Sequence, residues 1–208
     1  KLPDWTWYAT GPGIGIQTKR GRLVIPCDHA MMGTKEYGSH VIVSDDGGKT
    51  WSLGGLVRPK CNECQIVERE DGKLLLNMRS YHGLNRRFVS LSGDDGLSWT
   101  EAAPDTALIE PVCQASLIRY SWKVDGTPGM TLFSNPADTK RVKMTVRASY
   151  DDCATWPVSR TLYEGPAAYS CLAALPDGGI GCLYERGENT AYETITFAVF
   201  PPAWLMGK

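Results

Sequence analysis

Five side chains in this sequence are chemically capable of acid–base, nucleophilic or anion-binding work: Glu63, Arg79, Arg141, Tyr169 and Glu185. Guanidinium groups pair with anions, carboxylates accept protons, and a phenol that gives up its proton becomes a nucleophile. These groups are scattered from residue 63 to residue 185, so they form a site only if the fold gathers them. The other reactive types are less suggestive. Histidines 29, 40 and 82 have no metal-ligand spacing, and Cys61-x-x-Cys64 lacks the second pair that a zinc site needs. The seven cysteines read as small apolar residues, several within strands, with a disulfide framework as the alternative.

The elements that must position these groups announce themselves by repetition. Ser44 to Trp51 and Ser92 to Trp99 both spell Ser-x-Asp-x-Gly-x-x-Trp, and Ser149 to Trp156 repeats it with Cys153 in place of glycine. Ser and Asp side chains tie off a tight turn through nearby amides, glycine permits positive φ, and the tryptophan folds back over the turn. Outward from each turn runs the same unit of four strands, with no stretch showing helical periodicity. First strands are expected at 15–17, 65–68, 115–118 and 170–173, and second strands at 22–26, 73–77, 130–133 and 180–184. Third strands are expected at 39–44, 87–92, 143–149 and 194–200, with one short turn over 201–205. Units of roughly 50 residues suit the blades of a β-propeller, here about 12–60, 61–110, 111–165 and 166–208, better than a β-sandwich.

In an antiparallel meander, the start of strand one, the end of strand two and the start of strand three share an edge. The Asp-bearing turns lie at the opposite edge. Glu63 falls just before a first strand, Arg79 just after a second, Arg141 before a third, Tyr169 before a first, and Glu185 at the end of a second. All five therefore converge on one face. Asp28, His29 and Asn135 fall at that same edge, as candidates either to line a pocket or to cap loops.

These residues sit in segments with a specific resemblance. Asn62-Glu63-Cys64-Gln65, Leu76-Asn77-Met78-Arg79-Ser80, Phe133-Ser134-Asn135-Pro136, Arg141 with Thr145-Val146-Arg147, Ala168-Tyr169-Ser170 and Gly181-Cys182-Leu183-Tyr184-Glu185 resemble the retaining exo-α-sialidases. Trp7 to Gly13 and Gly21 to Pro26 resemble the same family, whose blades carry such turns as Asp boxes. The resemblance implies an all-β fold, a six-bladed sialidase propeller of which about four blades are present. It implies removal of terminal sialic acid from glycoproteins, glycolipids and oligosaccharides, with no metal or organic cofactor. Sialic acid carries a carboxylate beside its anomeric carbon, and the family uses a neutral tyrosine where other glycosidases use a second carboxylate. By resemblance Tyr169 is the nucleophile, Glu63 its base, Arg79 and Arg141 two members of the carboxylate-binding arginine triad, and Glu185 the residue that orients the first member.

That first arginine and the general-acid aspartate lie upstream in the family; Arg22 fits a different motif, and Asp4 and Asp28 do not match the acid. A propeller fragment with its front missing and little hydrolytic activity of its own is therefore expected. The alternatives are a non-catalytic sialoglycan-binding or structural blade array, and a fragment that folds poorly because its strand edges are open. A net charge of −1 argues against nucleic acid as a partner, and no apolar run approaches a membrane span.

Overall fold

The computed structural model describes residues 1–207. They form strands β1 (Trp5–Thr10), β2 (Ile16–Gln17), β3 (Leu23–Met31), β4 (Tyr37–Ser44), β5 (Ser52–Val57), β6 (Cys61–Glu68), β7 (Leu74–Ser80), β8 (Arg86–Ser92) and β9 (Ala103–Ile109). There follow β10 (Ser116–Ser121), β11 (Met130–Pro136), β12 (Val142–Ser149), β13 (Val158–Ala174), β14 (Ile180–Arg186) and β15 (Thr194–Phe200), then a one-turn helix α1 (Pro202–Leu205). Among the described residues no helix is long and apolar enough to cross a membrane.

The chain divides into two compact units, Lys1–Thr106 and Ala107 onward. In the first, one sheet runs β1-β3-β4-β5 with β2 also on β3, and a second runs β6-β7-β8-β9. Their facing sides are apolar because alternate residues of a strand share a face. Val24, Val41 and Val43 meet Ile66, Leu74, Leu76 and Met78 there. In the second unit the order is β10-β11-β12-β13-β14-β15. The 17-residue β13 serves two ladders: Val158 to Pro166 pair with β12, and Ala167 to Ala174 pair with β14. Its core gathers Leu132, Met144, Val146, Leu172 and Ile180.

The third strands and the C-terminal turn fall where the repeat places them. The first strand of the first sheet also lies where expected, but it is too short to cover β3. Ile16–Gln17 covers only Leu23–Val24 of β3, while Cys27 to Met31 are covered by β1, which the strand pattern did not include. Between them the chain leaves the ladder because Gln65, from the neighbouring sheet, occupies the gap. Its carboxamide donates to the Pro12 carbonyl and accepts the Ile14 N–H. A Cβ on Gly13 would lie 1.9 Å from that amide nitrogen, so only glycine fits.

The three Asp boxes are built alike. Asp46, Asp94 and Asp151 each accept the backbone N–H and the hydroxyl of Thr50, Ser98 and Thr155. Ser44, Ser92 and Ser149 each accept the N–H of Gly48, Gly96 and Cys153, and all three of those residues have positive φ. The box that follows β8 also docks β5, since the Gly55 N–H donates to the Gly96 carbonyl at 2.8 Å. A Cβ on Gly55 would stand 2.7 Å from the Leu97 carbonyl and from Trp99. Both obstacles are held by the box, so Gly55→Ala is expected to overpack the contact and cost about 1–3 kcal/mol of unfolding free energy in urea titrations.

Candidate functional site

The sequence placed Glu63 and Arg79 outside their strands; the structure places both within the ladder of β6 and β7. The register there shifts, with Cys61 opposite Ser80 and Cys64 opposite Met78. Asn62 and Glu63 thus stand together against Arg79, the two-against-one count of a β-bulge, which bends a strand and re-aims its side chains. Glu63 uses the new direction to accept a bond from Arg79 Nη1 at 2.7 Å, the two side chains being 15% and 13% exposed. The Arg79 guanidinium lies 5.1 Å from the ring of Tyr81, which stacks on Tyr37. The companion bulge residue, Asn62, donates its amide to Asp28 at 2.7 Å. Asp28 is 2% exposed. Burial above all, and then the Glu63 charge, push its carboxyl up to about 7, against the opposing pull of Arg79 and the Asn62 bond.

The second unit repeats the device. Between β13 and β14 the register shifts so that Ala167 faces Arg186 and Ser170 faces Tyr184. Ala168 and Tyr169 share Glu185 as their counterpart, and Glu185 accepts the Tyr169 N–H at 3.1 Å. Gln114 secures the next residue, accepting the Ser170 N–H and donating to its carbonyl, both at 2.9 Å. Arg141, just ahead of β12, accepts the Ala167 N–H on its carbonyl. Its guanidinium lies 5.9 Å from the Tyr169 ring and donates to the hydroxyl of Tyr192 and to the Val112 carbonyl.

The structure therefore brings Glu63, Arg79 and Asp28 together in the first unit, and Tyr169, Arg141 and Glu185 together in the second. Asn135 is placed in the interior, where Arg147 donates to its carbonyl and its amide donates to Ile109. His29 is fully buried. The seven cysteines form no disulfide among the described residues. Four neighbours of the site escaped sequence reasoning: Tyr81, Tyr192, Asn62 and Gln114. Gln114 did leave a signal, because Cys113-Gln114 repeats Cys64-Gln65 of the preceding unit, and both glutamines brace backbone outside their own segment, Gln65 the loop between β1 and β2 and Gln114 the strand β13. Tyr192 sits in a loop with no repeat counterpart.

Antiparallel meanders with Asp boxes in their turns, and bulged strands carrying polar groups at the other edge, are the construction of β-propeller blades. The family described as a BNR repeat-like domain matches residues 1–182. The chain is 37% identical over 220 residues to the sialidase of Micromonospora viridifaciens, covering 99% of this chain and 32% of that protein. It is 38% identical over 192 residues to the sialidase of Bacteroides fragilis, covering 89% of this chain and 35% of the relative. The solved structure of Hadza microbial sialidase Hz136 superposes with a TM-score of 0.87 at 37% identity, over 99% of this chain and 40% of that one. The chain belongs to the exo-α-sialidase family, a family of glycoside hydrolases, and spans about a third of the length of these curated relatives.

His29 gives the first unit a second buried polar pair. Its Nδ1 lies 3.1 Å from Nδ1 of His40, and its ring stacks on Trp5 at 3.9 Å. Neither Nε2 has a partner among the described residues. A proton added there would be buried without an acceptor, so burial lowers His29 to about 4, helped by Arg58, and lowers His40 to about 3, helped by His29. Unfolded histidines near 6.5 bind protons that the native pair refuses, so stability is full above that pH and falls as pH drops towards 4. Asp28 acts in the opposite sense, losing stability as pH rises from about 4 to 7, but it is one group against two. Histidine NMR signals of His29 and His40 are therefore expected not to titrate between pH 8 and 5, with melting temperature falling as pH goes from 6.5 to 4.

Proposed function

We propose that this chain carries the nucleophile side of an exo-α-sialidase centre that releases terminal sialic acid from sialylated glycans with retention of configuration. Tyr169 is the nucleophile and Glu63 its base. Arg79 and Arg141 bind the substrate carboxylate, and Glu185 orients the family's remaining arginine. The blade division at 12–60, 61–110, 111–165 and 166–208 belongs to the same proposal. The reading is supported above all by the paired bulges, which give Glu63 and Tyr169 equivalent positions in their sheets, each braced by an oppositely suited partner across the ladder.

The chemistry follows from the substrate. A carboxylate nucleophile would approach an anomeric carbon that already bears a carboxylate, and like charges would repel. A neutral phenol avoids this but is mostly protonated at neutral pH, since its ordinary pKa is about 10. Glu63 accepts that proton as the Tyr169 oxygen bonds to the anomeric carbon and the glycosidic carbon–oxygen bond breaks. The leaving oxygen takes a proton from a general acid that none of these five residues provides. Water then attacks the anomeric carbon from the opposite side and gives a proton back to that general acid, the bond to Tyr169 breaks, and the phenol recovers its proton from Glu63. Two inversions give net retention.

A 2,3-difluorosialic acid tests the reading on this chain's own residues, because a departing fluoride needs no proton. Intact-mass and peptide analysis is expected to show one sialyl adduct, on Tyr169, and none in Tyr169→Phe. Glu63→Gln is expected to slow labelling by about 10²–10⁴. Labelling elsewhere, or none at saturating reagent with the chain folded, would refute the proposal and favour a non-catalytic array.

A further inference from the structure

The most unusual group outside the five proposed site residues is Asp28, an almost completely buried carboxyl within reach of another carboxyl. It lies on β3 between Ala9 of β1 and Ser39 of β4. Directly opposed residues of an antiparallel pair project from the same face, so Asp28 and Ser39 reach the same way. Both end on Asn62. Asp28 accepts the Asn62 side-chain amide at 2.7 Å, and the Ser39 hydroxyl donates to the Asn62 carbonyl. The bulge residue next to Glu63 is thus held at its side chain and at its backbone by one cross-strand pair.

We propose that Asp28 is a positioning residue for Glu63: by anchoring Asn62 it fixes the bulge that aims the Glu63 carboxylate at Arg79, and its own proton governs how strongly the two carboxyls oppose each other. That Glu63 acts as a base rests on the sialidase reading; the coupling between the two carboxyls does not. The groups facing Asp28 are few. From β6 come Asn62, Glu63 and the Cys64 thiol, and from β7 the Arg79 guanidinium. Cys27 is its neighbour on β3, and Tyr81 lies beyond Arg79. Ser39 on β4 and Ala9 on β1 carry no titratable group, and the nearby His40 is engaged by His29.

The coupling has a definite direction. While Asp28 is protonated, Glu63 carries the negative charge that pairs with Arg79. Once Asp28 ionises, a second negative charge stands near the Glu63–Arg79 pair. Carboxyl ¹³C and guanidinium ¹⁵N NMR of the 208-residue chain read this without any substrate. Asp28 is expected to titrate with a midpoint near pH 7, and the guanidinium ¹⁵N signals of Arg79 to show an inflection at the same midpoint. Asp28→Asn keeps an acceptor for Asn62 but has no proton to lose, so it is expected to abolish that inflection and leave the chain folded. Asp28→Leu removes the acceptor as well, and is expected to slow difluorosialic acid labelling more than tenfold, while Asp28→Asn flattens the labelling profile between pH 6 and 8.

Arg79 signals with the same pH dependence in the wild type and Asp28→Asn would overturn the proposal, as would an Asp28 midpoint in the ordinary aspartate range near pH 4. Absence of labelling in every variant, with the NMR coupling intact, would instead count against the sialidase reading alone. Circular dichroism identifies a variant that fails to fold, and the wild-type titration then decides by itself.

Discussion

One extra residue in a strand is the constraint on which the site depends. In β6 the core-facing residues are Cys61, Cys64 and Ile66, and in β13 they include Ala167 and Leu172. Strict alternation would forbid Cys61 and Cys64 from sharing a face, since side chains of a strand repeat with period two. The bulge absorbs the odd residue, so the strand is anchored in the core on both sides of it. Between those anchors the pair Asn62–Glu63, and likewise Ala168–Tyr169, is pushed out of the regular ladder. A polar group there needs a counterpart across the strand, and Arg79 and Glu185 supply one in each case. Rigid flanks with a displaced polar centre give what a reactive group needs: a fixed direction and a partner that prevents collapse onto the core.

The same amino acid meets two environments in this chain, and its charge state follows the surroundings. Asp46 and Asp94 sit in open turns, where several hydrogen bonds to the ionised form, those of Thr50 and Ser98 among them, hold them at about 2. Asp28, with one bond from Asn62 and a second carboxyl nearby, is driven the other way to about 7. The Asp-box edge thus uses permanently ionised carboxylates as fasteners. The opposite edge of the first unit holds one whose proton is exchangeable near neutral pH. The difference arises from hydrogen-bond count and burial, not from chain chemistry.

The Asp boxes were legible because each is local: eight consecutive residues contain both the donors and the acceptors. The seventh position, Thr50, Ser98 and Thr155, carries a hydroxyl in every copy and belonged to the pattern as plainly as the tryptophan. The second and third strands were legible for the same reason. β1 was not, because its pairing with β3 is separated from that of β2 by a loop that Gln65 props open from another sheet. The bulges depend on cross-strand register and left only the Cys61-x-x-Cys64 spacing as a trace, which reads just as well as half a metal site. Asn135 looked available at an edge, yet its amide is used on both sides within the interior. Tyr192 reaches Arg141 from a loop whose course no periodicity specifies.

On the sialidase reading, the Glu63–Arg79 pair resolves a conflict that the substrate creates. A base beside a sialic acid must bring a second negative charge near the substrate carboxylate, and at low local dielectric that repulsion is expensive. A guanidinium between them changes the sign of the arrangement. It carries five N–H donors in a planar fork, so a single arginine can bind an incoming carboxylate while holding the resident one. Glu63 accepts from Nη1 at 2.7 Å, one of those five donors. A lysine would present one compact charge on a flexible stem and could not keep the two carboxylates in fixed, separate directions. The bulge sets the direction of the base, and the arginine makes that direction tolerable to an anionic sugar.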